Sequence, residues 1–206
     1  EPVNGSGLEG DPYIISEITH LAWISEQTIK FDSQGKYFKL NNDIDAKETA
    51  VWEEGKGFYP IGTKSADGFH EFKGFFDGNG KVISNLTIAR PNEYLIGLFG
   101  IIGKGGLVKN LGIENANISG ISFVGGLVGL SREQGVVKNC FSEAKVCGSN
   151  SFIGGLIGQN NGTMQRCYTD GTVTGEEYIG GLVGENKGRI ENCYATSNVI
   201  GYKFVG

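Results

Sequence analysis

A repeat that returns at intervals of about 27 residues limits what this chain can fold into. Cysteine marks it at Cys140, Cys167 and Cys193, and Leu111 and Leu86 extend the same column upstream. Self-similarity at such a period is typical of proteins in which each copy packs only on its neighbours. The sequence therefore predicts copies stacked along one axis.

Three further columns keep the spacing of the cysteines. Because like residues lie on like in a stacked array, the Asn column one position before the cysteines is predicted to mark a corner where side-chain amides bond along the axis. An apolar column lies three positions before the cysteines and a Gly column five before. The apolar column is Ile83, Val108, Val137, Met164 and Ile190; the Asn column is Asn85, Asn110, Asn139, Arg166 and Asn192; the Gly column is Gly106, Gly135, Gly162 and Gly188, with Gly80 displaced by one.

Composition favours an all-β chain. Thirty-five of 206 residues are Gly, without a collagen-like period, and helices tolerate Gly poorly. We expect a right-handed parallel β-helix, or a related β-solenoid, over residues 37–206, since parallel crossovers are almost always right-handed. Residues 1–36 are expected to hold a lead and a short helix that caps the first turn.

The N-terminal part is less regular. Residues 1–10 are rich in Gly and acid and are predicted to be a disordered lead. Ser16 is a candidate N-cap for a helix to about Glu26, whose Ile18, Leu21 and Trp23 would cover the open end of the stack. Strands are expected at 13–15 and 37–40, and again from Ile44; residues 46–73 show no register.

Alternation along a strand indicates which side chains face inward. Leu111 and Ile113 flank Gly112 with a period of two, as Leu86 and Ile88 flank Thr87, so the cysteine column is predicted to point inward. Three stacked thiols cannot all pair, and free buried thiols are the favoured prediction over disulfides. The next residue then points outward, which predicts an exposed aromatic file and a candidate ligand-binding surface at Phe141, Tyr168 and Tyr194. Stacking for stability alone is the alternative.

The sequence of the repeat resembles the GLUG motif, a bacterial repeat that consists of Gly-Gly-Leu-x-Gly, a polar Gly turn and Asn-Cys-Tyr. It is carried by residues 125–141, 154–168 and 180–194, with a fainter copy at 96–100. The resemblance implies a bacterial cell-surface or secreted protein. Adhesin-like proteins and the non-catalytic part of immunoglobulin A-cleaving metalloproteases carry such repeats, and the motif implies no active site.

Catalytic patterns are weak. His70-Glu71 has no second His at zinc-site spacing, so neither a metal nor another cofactor is expected. Asp43, Asp45 and Asp77 are the nearest approach to the carboxylates of polysaccharide-active β-helices, but each sits in a turn that favours Asp for its own hydrogen bonds.

Charge and hydropathy narrow the partners. The formal net charge is −5 and Lys and Arg form no stripe, so neither nucleic acid nor an anionic membrane is an expected partner. Apolar runs are too short to insert into a membrane. Residues 204–206 repeat the start of a copy, so we expect the chain to be a piece of a longer repeat protein.

The predicted function is a non-catalytic, adhesin-like module for binding or display, with a host or matrix protein, a glycan, or further repeats of the same polypeptide as partner. A carbohydrate-active β-helix enzyme is one alternative. A spacer stalk of a larger surface protein, such as a protease, is the other.

Overall fold

The all-β prediction is confirmed. The computed structural model describes residues 2, 4–30, 32–66 and 68–206, which are mostly β-strands joined in parallel sheets. One α-helix, α1, runs over Ile18–Lys30. A 3₁₀ segment over Lys47–Gly55, which the sequence did not predict, is interrupted by non-helical backbone at residues 52–54.

The strands divide into an N-terminal group and a repeat group. The first group is β1 (Tyr13–Ile15), β2 (Tyr37–Leu40), β3 (Ile44–Asp45), β4 (Thr63–Ser65), β5 (Gly68–His70), β6 (Phe75–Ser84) and β7 (Thr87–Ala89). The second is β8 (Phe99–Ile102), β9 (Leu107–Gly120), β10 (Val124–Gly125), β11 (Val128–Ser131), β12 (Val136–Lys138), β13 (Phe141–Gly148), β14 (Ser151–Gly154), β15 (Ile157–Asn160), β16 (Thr163–Gln165), β17 (Tyr168–Thr174), β18 (Glu177–Gly180), β19 (Val183–Asn186), β20 (Arg189–Glu191), β21 (Tyr194–Ala195), β22 (Asn198–Ile200) and β23 (Lys203–Val205).

Successive copies of the repeat pair in parallel and in register. Val108 pairs with Val137, Val137 with Met164, and Met164 with Ile190, so each member of the apolar column lies beside its counterpart in the next copy. Two further sheets, β10-β14-β18-β23 and β8-β11-β15-β19, repeat the same order on other sides of the copies. Each copy therefore contributes one strand to each of these two sheets and at least two to the 13-stranded sheet, as β12 and β13 do, and its inward side chains join one apolar core.

The prediction that Leu86 and Leu111 occupy equivalent positions in successive copies is wrong. Ile83 pairs with Ile113 rather than with Val108, whose upstream partner is Phe76. The register of β6 against β9 shifts between Asp77 and Lys81, where the intervening residues have no partner across the ladder. An irregularity of this kind leaves the local pattern intact but displaces every column upstream of it.

α1 packs against the core beside β1, and its ends differ from the prediction. Ile18, Leu21 and Ile24 are buried in the core, and the half-buried Trp23 packs edge-on against Tyr13 at a ring-centroid distance of 5.2 Å. The helix extends beyond the predicted Glu26, to Lys30.

Two local predictions at this end fail. Ser16 is not a side-chain N-cap; its backbone N–H donates to His20 Nδ1 at 3.2 Å. The disordered lead is also wrong for the described residues from Asn4 onward. The backbone N–H groups of residues 6, 7 and 8 donate to Asp11 O, and that of Tyr37 donates to Gly7 O at 3.0 Å, so the lead is tied to β2. Residues 1 and 3 lie outside the described part.

Residues 46–73, which showed no register, form an irregular turn on the same core. The hairpin of β4 and β5 is antiparallel, with Thr63 opposite His70. Isolated parallel bridges join Ile61 to Phe99 and Phe72 to Ile102. Apolar side chains at 58, 61 and 72 are fully buried, so this segment continues the core although it lacks the repeat.

Each Gly of the three Gly-Gly-Leu-x-Gly stretches except Gly181 lies where a side chain would collide with backbone. In the middle copy, a Cβ at Gly154 would lie 2.0 Å from Ile157 O, and one at Gly155 would lie 2.1 Å from Gly181 O of the next copy. A Cβ at Gly158 would lie 2.6 Å from a carbonyl oxygen of the preceding copy. The three glycines therefore permit close backbone contacts within and between copies, and their recurrence reflects packing.

A candidate binding surface of stacked aromatic rings

The Asn column turns the chain at a corner, as predicted. Asn110, Asn139, Arg166 and Asn192 all have left-handed backbone, with φ between 51° and 55°. Asn tolerates this conformation better than most residues. The side chains also bond along the axis, since Asn139 Nδ2 donates to Asn110 Oδ1 at 2.9 Å and Arg166 Nε donates to Asn139 Oδ1 at 2.8 Å. The ladder ends upstream on Asp77 Oδ1, which accepts from Asn110 at 2.9 Å.

The corner directs the next residue inward. Cys140 and Cys167 are buried and Cys193 is half-buried, and these three and the exposed Cys147 are all free thiols, as the sequence predicted for the column. Cys140 Sγ donates to Lys138 O at 3.2 Å, and Cys193 Sγ makes the equivalent bond to Glu191 O. Burial raises the pKa of the Cys140 thiol well above its ordinary value of 9.0, so this group is held neutral.

The residue after each cysteine forms the predicted aromatic file. Phe141, Tyr168 and Tyr194 pair in register on adjacent copies. Their rings are almost parallel, with centroid distances of 4.9 and 5.3 Å and interplanar angles of 5° and 6°. Phe141 and Tyr168 are half-buried, while Tyr194 is 59% exposed. Stacking covers the ring faces inside the file, so the file offers ring edges and two hydroxyls, and an open face only at Tyr194.

The file begins at a glycine. A Cβ at Gly112 would lie 2.4 Å from the ring of Phe141, so the missing side chain makes room for that ring. Gly112 pairs directly with Phe141 across the ladder.

An acidic row runs beside the aromatic file. Glu143 lies two residues after Phe141 on the same strand face and pairs in register with Glu114 on one side and Asp170 on the other. Burial, followed by the charge of Glu143, raises the pKa of the Tyr168 phenol. The hydroxyl is therefore protonated at neutral pH and can donate a hydrogen bond. Together the two rows suit a ligand that is rich in hydrogen-bond donors or carries positive charge.

A second aromatic file was not inferred from the sequence. Phe123, Phe152, Tyr178 and Phe204 stack with centroid distances of 5.0, 5.2 and 4.7 Å, and each has φ between 51° and 64°. The signal was present, because an aromatic residue stands two positions before the first Gly of each of the three full copies. Left-handed backbone is unfavourable for a bulky residue, so the pattern gave no reason to expect a corner there.

The three Asp residues considered for catalysis are engaged in structural bonds. Asp43 Oδ1 accepts from the Val82 backbone N–H at 2.9 Å. Hydrogen bonds from Asn85 and from the Lys47 backbone lower the pKa of Asp45. Burial acts to raise the pKa of Asp77, but bonds from Asn110, the Asn79 backbone and Lys109 together hold it below its ordinary value of 3.8.

Asp77 also lines a groove of about 550 Å³ with the stacked rings of Tyr37 and Phe75. A glycosidase acid needs a raised pKa, so a lowered one suits Asp77 for structure rather than for acid catalysis.

Within the described ranges, no group of three or more His, Cys, Asp or Glu side chains is placed to hold a metal ion. His70 Nε2 lies 2.7 Å from Ser65 Oγ. Among the helices of the described part, none is long and apolar enough to cross a bilayer.

Comparison with known proteins identifies the repeat and the fold. The model of the GLUG motif matches residues 175–200. Halomucin of Haloquadratum walsbyi is 36% identical over 122 residues, which cover 59% of this chain and 1% of halomucin. A protein of Evansella cellulosilytica, provisionally named a Gly-rich membrane protein, is 36% identical over 116 residues, covering 56% of this chain and 12% of that protein. The matches thus span small parts of both relatives.

A crystal structure from Bacteroides ovatus, provisionally described as an immunoglobulin A1 protease, has a similar fold. It superposes with a TM-score of 0.67 at 20% identity, over 98% of this chain and 76% of that one. The sequence resemblance is confirmed where the model matches: residues 175–200 are a GLUG motif, and they lie in a chain of parallel β-sheets.

Proposed function

We propose that this chain is a non-catalytic module of a bacterial cell-surface or secreted protein, and that it binds a host protein, a matrix protein or a glycan. The observation that carries the proposal is the file of Phe141, Tyr168 and Tyr194 beside the acidic row of Glu114, Glu143 and Asp170. Aromatic groups supply contact area at low entropic cost, and the row of carboxylates supplies acceptors.

The motif itself supports a structural scaffold beneath this surface. Its glycines permit close packing, its Asn forms the exposed corner and its Cys fills the core, while the aromatic residue forms the outward file. The parallel registers and the right-handed rule for crossovers together favour a right-handed β-solenoid as the scaffold. The names of halomucin and of the Gly-rich membrane protein are consistent with a place at the cell surface.

Two alternatives have separate consequences. A carbohydrate-active enzyme would use the groove that Asp77 lines. A spacer stalk would use neither surface, and the aromatic file would then serve only to stabilise the stack.

The test is a binding array of matrix proteins and glycans, probed with the parent protein and a Tyr168→Ala/Tyr194→Ala variant. We expect the parent to bind at least one array member and the variant to lose that binding while keeping its β-sheet circular dichroism. The matched control is Phe152→Ala/Tyr178→Ala, which removes rings from the second file and should leave binding unchanged.

A Tyr168→Phe/Tyr194→Phe variant keeps the stacked rings but removes both hydroxyls. It therefore separates the contribution of the ring edges to binding from that of the hydroxyls. Turnover of an acidic polysaccharide by the parent would overturn the proposal in favour of the enzyme. Absence of binding by the parent would favour the stalk.

A further inference from the structure

A cavity of about 530 Å³ lies between α1 and the 3₁₀ segment, outside the repeat. Ala22, Ser25, Glu26 and Ile29 line it from the helix; Trp52, Glu53 and Tyr59 line the opposite side. The volume is within the range of small-ligand sites. The repeat does not explain its two aromatic residues, because Trp52 and Tyr59 have no counterparts at the repeat spacing.

A buried arginine fixes one wall of this cavity. The Arg90 side chain is 1% exposed, and its Nη2 donates to Glu53 Oε2 at 2.7 Å. Nη1 lies 3.1 Å from Glu93 Oε1, and Nε donates to Phe58 O at 3.1 Å. The guanidinium also lies 4.6 Å from the centre of the Tyr59 ring. Arg90 thus holds both Glu53 and Tyr59 in place before any ligand arrives.

The backbone of the wall is held in an unfavourable conformation. Glu53 and Glu54 have φ of 45° and 57°, two consecutive left-handed residues that are not Gly. Such conformations persist only where surrounding contacts enforce them. Several contacts hold this turn: Arg90 Nη2 donates to Glu53 Oε2, and the backbone N–H groups of Lys56 and Gly57 donate to Glu53 O and Trp52 O, each at 3.1 Å. The Trp52 ring lines the cavity and packs 6.4 Å from the Phe58 ring. Preformed walls of this kind lower the entropic cost of binding.

The charges select the ligand class. Each carboxylate that lines the cavity already faces a cation, since Glu53 Oε2 lies 2.7 Å from Arg90 Nη2 and Glu26 Oε2 lies 3.7 Å from Lys30 Nζ. The lining therefore attracts a cationic ligand only weakly. An anionic ligand would meet Glu26 and Glu53. A neutral pyranose fits both conditions, since its apolar ring face packs on Trp or Tyr and its hydroxyls donate to carboxylates.

We infer that the cavity between α1 and the 3₁₀ segment is a binding site for a neutral sugar, with Trp52 and Tyr59 as ring contacts and Glu26 and Glu53 as hydroxyl acceptors. This site does not depend on the aromatic file of the repeats.

The two tryptophans, Trp23 and Trp52, allow a direct test. Indole N–H resonances of ¹⁵N-labelled protein are assigned with a Trp23→Phe variant. The protein is then titrated with methyl glucoside, methyl mannoside, methyl galactoside and N-acetylglucosamine. We expect a saturable shift of the Trp52 resonance with at least one of these sugars. The resonance of Trp23, which packs on Tyr13, should not shift. Glucuronic acid and tetramethylammonium chloride should leave both resonances unmoved.

Variants complete the test. Trp52→Ala should weaken binding by about tenfold or more. Glu26→Gln should weaken it by several-fold, and because Glu26 is exposed on the helix this variant keeps the fold. Trp23→Phe, the matched control, should bind as the parent does. The inference is overturned if no neutral sugar moves the Trp52 resonance, if tetramethylammonium moves it instead, or if Glu26→Gln and Trp52→Ala both bind as the parent does.

Discussion

The side chain of Asn139 donates to Oδ1 of Asn110, the corresponding residue of the preceding copy, at 2.9 Å, and both residues have left-handed backbone. One residue type therefore does two things at this corner, because it tolerates the turn and joins the copies. The two contributions can be separated by substitution.

Asn139→Gly removes the amide but keeps freedom for φ of 52°, whereas Asn139→Ala removes both. We expect Ala to lower the free energy of unfolding by about 1 kcal/mol more than Gly does. Chemical denaturation of the parent and both variants measures the difference. If both variants lost the same free energy of unfolding, the left-handed backbone at this corner would impose no strain on the Ala side chain.

Gly155→Ala should be strongly destabilising. The new Cβ would lie 2.1 Å from Gly181 O, and neither backbone segment can move without displacing the next copy. We expect a loss of about 3 kcal/mol in the free energy of unfolding. Gly10→Ala is the matched control, because nothing lies within 4 Å of its Cβ. A Gly155→Ala protein as stable as the control would contradict the close contact.

Alkylation should distinguish the four thiols. In the folded protein, Cys147 is exposed and should react with iodoacetamide first, while Cys140 and Cys167 are buried and should be protected. Cys193 is half-buried and should react at an intermediate rate. In denaturant without reductant, mass spectrometry should find all four labelled. An unlabelled pair under those conditions would reveal a disulfide.

Acid should weaken the contribution of Asp77. Its pKa in the folded protein lies below the ordinary value of 3.8, so its carboxylate stabilises the fold above that pH. That stability is lost as the pH falls through the folded pKa. Asp77→Asn keeps an acceptor for Asn110 but has no charge for Lys109, 3.2 Å away in the parent.

Thermal melts of the parent and Asp77→Asn from neutral pH down to about pH 2 should therefore converge below about pH 4. A stability difference that stays constant across this range would show that the charge of Asp77 is irrelevant to folding.

The repeat part could be predicted from the sequence because each motif residue answers a local requirement that recurs. Cys140 points inward, Phe141 outward, and Asn139 turns the corner, and all three follow from alternation and from the conformational tolerance of Asn. The column upstream of Leu111 failed because the irregular register near Asp77 changes the spacing without leaving a composition signal.

The features outside the repeat could not be predicted because they depend on distant contacts. Arg90 has the charge of a typical surface residue, yet its side chain is buried. It bonds to Glu53 and Glu93 and to the carbonyl oxygens of Phe58 and Gly57, which lie 32 and 33 residues away in the chain. The candidate binding file at Phe141 was found from alternation. The second file, with Phe152, was missed because its residues occupy a backbone conformation that their side chains disfavour.

The nearly constant spacing of the parallel pairs also bears on how the chain folds. Val137 pairs with Met164 of the next copy, and Met164 pairs with Ile190 of the copy after that, so each pair closes a loop of similar length. The entropy of closing each loop is therefore nearly the same at every step. During synthesis, each new copy can dock on the preceding one once about 27 further residues have emerged, so the stack can grow from the helix-covered end at a steady rate.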